Sequence, residues 1–205
     1  SVKNKMRIDL NSDLGESFGP WPMGQDAALM ASITSANIAC GFHAGDPRVV
    51  GQTLALAKDR AVAVGAHPGF PDLVGFGRRE IKAAPAEVED FVLYQVSALA
   101  GMAAALGVRL QHVKAHGALY NMACKDRALA DAIARATAAS DRSLILFGLP
   151  NSELLRAGEA VGLDGRELAS QRLHQRTPAR DVRGRVDVDP VVALHRQAGE
   201  RIGQR

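Results

Sequence analysis

Short apolar runs alternate along the chain with longer segments of helical periodicity, and this alternation constrains the fold more than any other feature. Residues 61–66 (AVAVGA) are wholly apolar and contain β-branched valines, which is typical of a strand buried on both faces of a parallel sheet. In the segment before this run, Val50, Leu54 and Ala57 recur at the spacing of one helical face. The alternation therefore predicts βα units and a parallel sheet with right-handed crossovers.

Five strand and helix pairs can be delimited by this criterion. The predicted strands are 7–10, 37–40, 61–66, 108–113 and 144–147, and the predicted helices are 26–33, the segment from Pro47, 85–107 with Gly107 as its stop, 126–139 and 152–161. From residue 162 the chain has no aromatic residue and only a weak helical pattern around 191–197, so no strand is predicted there. We expect a single domain over 1–205, with an N-terminal extension at 1–6 and an atypical, disordered tail at 163–205.

Composition excludes several classes of protein. The chain has 205 residues, enough for one sizeable core. Nine arginines and six acidic residues in 162–205 account for the whole net charge of +3, which argues against a nucleic-acid surface on the main body. Cys40 and Cys124 are too few and too separated for a disulfide framework or a cysteine zinc site. With no apolar run of ~18 residues and no signal-peptide core, we expect a cytoplasmic protein that does not cross a membrane.

Polar residues able to carry chemistry follow the ends of different predicted strands. They are Asp13, His43, His67, Lys114 and His116. In a parallel α/β barrel the C-terminal strand ends share one face, where such enzymes keep their active sites. A lone histidine on a loop is more often a structural hydrogen-bond partner, but three at equivalent strand ends favour a catalytic site. His112 lies inside a predicted strand and is expected to be structural.

Two loops next to these strand ends have features of their own. The stretch 37–46 (NIACGFHAGD) contains two glycines that let the backbone turn close to a ligand. Asp46 precedes Pro47, the arrangement typical of a helix N-cap followed by proline at the first helical position. Arg78 and Arg79 in the glycine-rich loop could bind a carboxylate bidentately, although an adjacent arginine pair is usually solvated with one member in a salt bridge.

Three common catalytic motifs are absent from the sequence. It contains no G-x-x-x-x-G-K-[ST], no G-x-G-x-x-G after a strand and no G-x-S-x-G. A self-contained P-loop ATPase, a Rossmann dehydrogenase and an α/β-hydrolase are therefore unsupported. If ATP is used, its binding is unconventional or lies on a partner.

Five segments resemble, in order and spacing, motifs of the LamB/YcsF family. They are DLNSDLGESFG, SANIACGFHAGDP, VGAHPGFPDLVGFGRRE, LQHVKAHGALYNMA and LILFGL. The resemblance covers residues 7–162, and residues 168–205 depart from the family pattern. It implies an α/β fold, a variant (β/α) barrel of the glycoside hydrolase/deacetylase type, which such a tail would leave incomplete at the C-terminus.

The resemblance also implies an activity and partners. It implies cleavage of the lactam of 5-oxo-L-proline to L-glutamate with ATP hydrolysis, by an enzyme that needs two further subunits, B and C. The positions that match the family motifs are Asp13, Glu16, Asn37, His43, Asp46, His67, Lys114 and His116. Phosphorylating the lactam oxygen would make a poor electrophile reactive, and the acids and histidines would then carry protons.

Individual roles within that set are hypotheses. We expect Lys114 to meet phosphate or lactam oxygen charge, and His67 or His116 to act as general base. Asp13 would orient a histidine or hold a metal. His43 and Asp46 complete the predicted catalytic set. The predicted substrate-binding residues are Glu16, Asn37, Arg78 and Arg79.

Two other functions stay open. One is a stand-alone metal-dependent amide or lactam hydrolase, or a deacetylase-like enzyme, with a divalent ion held by Asp13, His43, His67 and His116. Such oxygen and nitrogen ligands suit zinc or another transition metal, although the sequence has no short ligand pair such as H-x-x-x-H. The other is a non-catalytic assembly module, because an incomplete barrel would leave strand edges and apolar surface that a homo-oligomer would cover.

Overall fold

Seven strands form one sheet in the computed structural model, which describes residues 8–168 and 191–194. The strands are β1 (Ile8–Leu14), β2 (Ser35–Ala39), β3 (Ala63–His67), β4 (Leu110–Val113), β5 (Ile145–Gly148), β6 (Gly165–Glu167) and β7 (Val191–Leu194). Strands β1 to β6 neighbour one another in chain order and run parallel, whereas β7 pairs antiparallel with β1. The parallel strands curl into part of a barrel, which confirms the predicted α/β barrel-like fold.

Helices connect the parallel strands. They are α1 (Asp26–Leu29), α2 (Pro47–Asp59), α3 (Pro85–Ala105), α4 (Gly117–Ala123), α5 (Arg127–Ser140) and α6 (Glu153–Ala160). The side chains of Asp46, Asp126 and Ser152 accept backbone N–H groups at the starts of α2, α5 and α6, as N-caps do. Gly107 follows α3 with a φ of +71°, the left-handed conformation that commonly ends a helix.

The first strand is longer than predicted. β1 continues to Leu14, so residues 11–14 are strand and not the loop that their polar composition predicts. Asn11 and Asp13 lie two residues apart and therefore on one face of β1, and both side chains bond Asn37 of β2. Asp13 consequently lies within a strand and not beyond its end.

Several other boundaries also differ from the prediction. Helix α1 ends at Leu29 and not at residue 33, and α4 was not predicted. Strand β6 falls in the supposed tail, and residues 191–194, whose pattern is weakly helical, pair as β7 with β1. A strand at the edge of a sheet exposes backbone N–H and C=O groups that can pair with a further strand. The pattern of apolar and polar side chains does not show which segment provides that pairing. The remaining parts of the predicted extension and tail lie outside the described residues.

The core lies between the sheet and the helices. Val50, Leu54 and Ala57 of α2 are buried as predicted, and α3 buries Val88 and Val92 with further apolar residues. Each large side chain fully removed from water contributes about 1.5–3 kcal/mol. This packing fixes the sheet so that the C-terminal ends of β1 to β4 meet along one edge. Among residues 8–168 and 191–194, no helix combines the length and apolar character that crossing a membrane requires.

Candidate active site

Six polar side chains from the C-terminal ends of β1 to β4 lie against one another. They are Asp13 and Glu16 on and after β1, His43 after β2, His67 at the end of β3, and Lys114 and His116 after β4. The three histidines and the lysine are buried, while the two carboxylates are partly accessible. The fold thus brings together five residues singled out by their position at strand ends, together with Glu16.

Asp13 is the counter-ion of the buried lysine. Its Oδ1 accepts hydrogen bonds from Lys114 Nζ and Asn37 Nδ2, each at 2.7 Å, and its Oδ2 lies 3.4 Å from His67 Nε2. Burial by itself would raise the pKa of Asp13, but the neighbouring His67 and Lys114 outweigh it and hold the pKa well below its usual range. Asp13 is therefore a carboxylate at neutral pH, and one of its oxygens is committed to the ammonium group.

A buried amide fixes the orientation of Asp13 from below. Asn37 Oδ1 lies 2.6 Å from His112 Nε2 and accepts a second hydrogen bond from Asn11 Nδ2 at 3.1 Å. Because this oxygen can only accept, His112 Nε2 carries a proton, and the amide nitrogen of Asn37 must face Asp13. Burial lowers the pKa of His112 to about 3, so the ring is neutral. His112 is a member of this structural network, as its position inside a strand suggests.

Backbone carbonyls fix the tautomers of two histidines. His67 Nδ1 lies 2.6 Å from the Lys114 carbonyl oxygen, and His116 Nε2 lies 2.8 Å from the Phe76 carbonyl oxygen. A carbonyl only accepts, so each of these nitrogens carries the proton. In the neutral form of each ring the lone pairs are therefore on His67 Nε2 and His116 Nδ1, which lie 3.0 Å apart.

Glu16 and His43 close the cluster on its outer side. His43 Nε2 lies 3.3 Å from Glu16 Oε1, and the His43 ring stacks on His116 with centroids 3.7 Å apart and planes 3° from parallel. Burial lowers the pKa of His43 to about 2 and, with the neighbouring His67, that of His116 to about 3. Burial raises the pKa of Glu16. Two neutral histidines thus adjoin a carboxyl group that gains a proton more readily than usual.

The set of residues that could hold a metal differs from the predicted one. Glu16, His43, His67 and His116 each offer a ligand atom within 4.8 Å of the others. Glu16 takes the place predicted for Asp13, because Asp13 is drawn to Lys114. The sequence could not show which of the two acids lies beside the histidines, since they are only three positions apart. The path of the chain after β1 decides which carboxylate reaches them.

Glycine is required where a loop crosses this cluster. Gly77 has a φ of +63°, and a Cβ there would lie 2.8 Å from His116 Cδ2 and 2.8 Å from His43 Cβ. Any side chain would therefore push the two stacked rings apart or displace the loop. The loop after β3 thereby closes over the histidines without separating them.

Three predicted site residues make contacts elsewhere. Asp46 Oδ1 accepts from Arg48 N at 2.8 Å and Val49 N at 3.0 Å, and its Oδ2 accepts from Gly19 N at 2.7 Å. Both of its oxygens thus hold backbone, at the start of α2 and in the loop after β1. Arg79 forms a salt bridge with Asp72, and the Arg78 guanidinium lies 5.3 Å from the centroid of the Phe76 ring. Substrate binding by the two arginines stays a prediction.

A cavity of about 420 Å³ opens beside Glu16 and His43. The other lining residues are mostly apolar: Phe18, Trp21, Met23, Ala44, Leu73, Val74 and Phe76. At the mouth, 65% of the Trp21 surface and 92% of the Val74 surface are exposed. Sequence reasoning missed this apolar rim, because its residues come from three loops without a periodic pattern.

Comparison with known proteins decides the family. The sequence model of the LamB/YcsF family matches residues 8–178. The chain belongs to the LamB/YcsF family. The match continues past residue 162, where the recognisable motifs end.

Two relatives and one solved structure show how close the similarity is. This LamB/YcsF protein is 58% identical over 171 residues to the 5-oxoprolinase A subunit of Tolumonas auensis, covering 83% of this chain and 67% of that protein. It is 50% identical over 199 residues to the corresponding protein of Halalkalibacterium halodurans, covering 97% of this chain and 77% of that protein. The crystal structure of the lactam utilization protein from Thermus thermophilus matches with a TM-score of 0.77 at 50% identity. That match covers 78% of this chain and 65% of the other, so the aligned part spans about two thirds of the solved chain.

Proposed function

We propose that this LamB/YcsF protein is the A subunit of an ATP-dependent 5-oxoprolinase and opens the lactam of 5-oxo-L-proline to give L-glutamate. The observation that carries the proposal is the pair of partly accessible Asp13 and buried Lys114 beside three buried histidines, all at one edge of a parallel sheet. Relatives named as the A subunit of 5-oxoprolinase, at 50–58% identity, support the assignment. The cavity beside the cluster is of small-molecule size.

The charges of the cluster suit a reaction that develops negative charge on oxygen. Lys114 is held by Asp13; it would stabilise an oxyanion or a phosphoryl oxygen in a water-poor site. Glu16 lines the cavity, and burial raises its pKa, so this carboxyl group would hold and pass on a proton more readily than an exposed glutamate. Where no ion is bound, His67 or His116 would serve as the base that activates water.

ATP would act as co-substrate on other subunits. The sequence has no P-loop motif, and the cavity is lined mainly by apolar side chains, which do not suit a triphosphate. We therefore infer that partner subunits B and C bind ATP and that the activated lactam reaches this cluster. Lactam phosphorylation would then precede the step performed here.

Reconstitution tests the proposal. The chain, mixed with B and C subunits from a LamB/YcsF relative, ATP and 5-oxo-L-proline, should release L-glutamate, measured by a coupled glutamate assay. His67→Ala and Lys114→Met should lose at least ~100-fold in turnover. Lys125→Met is the matched control, since it removes an exposed lysine outside the cluster, and it should keep full turnover.

Circular dichroism and thermal melting should show that the variants still fold. Absence of glutamate from the folded wild-type chain, with B and C subunits that are active in their native complex, would overturn the proposal. Equal losses in Lys114→Met and Lys125→Met would remove the specific role assigned to the cluster.

An amide hydrolase that works alone is the second candidate. The observation that favours it is the group of Glu16 and three histidines, which has the composition of a metal site. It predicts turnover of simple amides without ATP or partner subunits, and this turnover should stop when a chelator is added. The first proposal predicts no turnover under those conditions, so one assay separates the two.

A further inference from the structure

When both rings are neutral, two lone pairs face each other at the centre of the cluster. The Lys114 and Phe76 carbonyls place protons on the outer nitrogens of His67 and His116, which leaves the inner nitrogens as acceptors 3.0 Å apart. Two acceptors at this distance repel unless a proton or a cation lies between them. Both rings are almost fully buried, so no bulk water relieves this repulsion.

The distances suit a metal ion. Nitrogen ligands at about 2.1 Å from one ion lie roughly 3.0–3.4 Å apart at angles between 90° and 109°, and His67 Nε2 and His116 Nδ1 fall within that range. Glu16 Oε1 lies 3.9 Å from the first nitrogen and 3.6 Å from the second. A shift of a few tenths of an ångström by this partly exposed carboxylate would complete a three-ligand set.

His43 is unsuited to be a ligand of the same ion. Its ring lies parallel to His116 at 3.7 Å, so an ion in the plane of one ring lies well out of the plane of the other, away from its lone pair. The nitrogen that does not face Glu16, Nδ1, has no hydrogen-bond partner, whereas histidine ligands normally donate that proton to an acceptor. His67 and His116 each have such an acceptor in a backbone carbonyl.

Asp13 is excluded for a different reason. Its Oδ1 is bound to the Lys114 ammonium and the Asn37 amide. The four residues whose ligand atoms lie within 4.8 Å of one another are Glu16, His43, His67 and His116, and Asp13 is not among them. This carboxylate instead compensates the charge of Lys114.

We propose that Glu16, His67 and His116 form a three-ligand site for a first-row divalent ion, Zn²⁺ foremost. His43 positions the Glu16 carboxylate by donating its Nε2 proton to it, across 3.3 Å. Two histidines and one carboxylate are the ligand set of several catalytic zinc sites and of facial non-haem iron sites. Three protein ligands leave coordination positions for water or substrate, and Glu16 itself lines the cavity.

Metal titration of the isolated chain tests the site without ATP or partner subunits, and its result is therefore independent of the proposed activity. After treatment with chelator and its removal, the chain should bind one equivalent of Zn²⁺ by calorimetry. Co²⁺ should give the visible absorption bands of a low-coordinate site and should be displaced by Zn²⁺. A folded chain that binds neither ion in stoichiometric amount would overturn the proposal and leave a shared proton between the two histidines.

Variants then distinguish the proposed ligands from their neighbours. Glu16→Gln and His116→Ala should each weaken Zn²⁺ binding by more than ~100-fold, because a ligand is lost. His43→Gln keeps an N–H donor for Glu16 and should stay within about 10–100-fold, the range for partners of ligands, with Co²⁺ bands of the same shape. If His43→Gln weakened Zn²⁺ binding as much as Glu16→Gln, His43 would be a ligand and not a residue that positions Glu16. If Glu16→Gln bound Zn²⁺ as tightly as the wild type, the proposed site would be refuted.

Discussion

Gly65 leaves the space that the ring of His112 fills. A Cβ at Gly65 would lie 2.1 Å from His112 Cδ2 and Nε2. The ring cannot retreat, because it stacks on Phe147 with centroids 4.4 Å apart and planes 7° from parallel, and its Nε2 is bonded to Asn37. The absence of a side chain on β3 thus allows a histidine on β4 to orient the amide that holds Asp13.

Gly65→Ala should destabilise the protein. Overpacking of a buried site costs about 1–3 kcal/mol, measured as the change in the free energy of unfolding by urea. His112→Ala should also destabilise, through a cavity and the lost bond to Asn37. In the double variant the alanine Cβ meets open space, so the loss should be smaller than the sum by more than ~0.5 kcal/mol. Strict additivity would contradict the steric account.

Single residues also show how far the sequence predicts the site. His43, His67, Lys114 and His116 follow strands in the sequence, and parallel strands bring such positions together. The pairing of Asp13 with Lys114, and the placing of Glu16 beside the histidines, depend on side-chain directions and loop turns. Those are set by tertiary packing and are not encoded by spacing.

At the scale of the element, helix α2 is fixed at its start more firmly than α5. Asp46 accepts two N–H groups of α2 and a third from Gly19 in the loop after β1. Asp126 caps α5 with two such bonds, to Ala128 N at 2.9 Å and Leu129 N at 3.2 Å. The two aspartates therefore form a matched pair that differs in a tertiary contact.

Asp46→Ala should cost more stability than Asp126→Ala. Loss of a helix N-cap costs about 0.5–2 kcal/mol, and the first variant also leaves Gly19 N without its acceptor. Urea unfolding of both variants measures the difference. Because Gly19 adjoins Phe18 of the cavity lining, Asp46→Ala should also raise KM in the reconstituted assay, whereas Asp126→Ala should not. Equal destabilisation would show that the bond to Gly19 contributes nothing.

The starts of helices with a side-chain cap were predictable, whereas the extents of the strands were not, for one physical reason. A cap is a local contact between a side chain and the next three residues, so Asp46 before Pro47 carries its own signal. The length of β1 depends on contacts with the neighbouring strand. Asn11 and Asp13 continue β1 because both side chains form hydrogen bonds with Asn37 of β2. Strand β7 likewise exists because β1 offers an edge, despite a weakly helical pattern in its sequence.

For the whole molecule, buried neutral histidines predict sensitivity to acid. Burial lowers the pKa of His112 to about 3, whereas an unfolded histidine titrates near ~6.5. As the pH falls below ~6.5, the unfolded chain gains a proton that the folded chain does not, so stability is lost. The contribution of His112 to the free energy of unfolding is complete above pH ~6.5. It decreases by up to about 1.4 kcal/mol per pH unit as the pH falls towards ~3.

Urea unfolding between pH 7.5 and 5, with chelator present, measures this effect. His112→Gln keeps a donor for Asn37 but cannot titrate, so its unfolding free energy should fall less steeply with decreasing pH than that of the wild type. Identical slopes would show that His112 does not take up its proton on unfolding.

The only tryptophan of the chain stands at the cavity mouth. With 65% of its surface in water, Trp21 emits as a solvated indole and has no second fluorophore of its kind to mask it. Anything that covers the mouth, whether a small molecule beside Glu16 or another protein over the apolar rim, removes water from this ring and moves its emission to shorter wavelength. The protein therefore carries an intrinsic optical probe at the entrance to its candidate site, and occupancy can be followed in real time without labels.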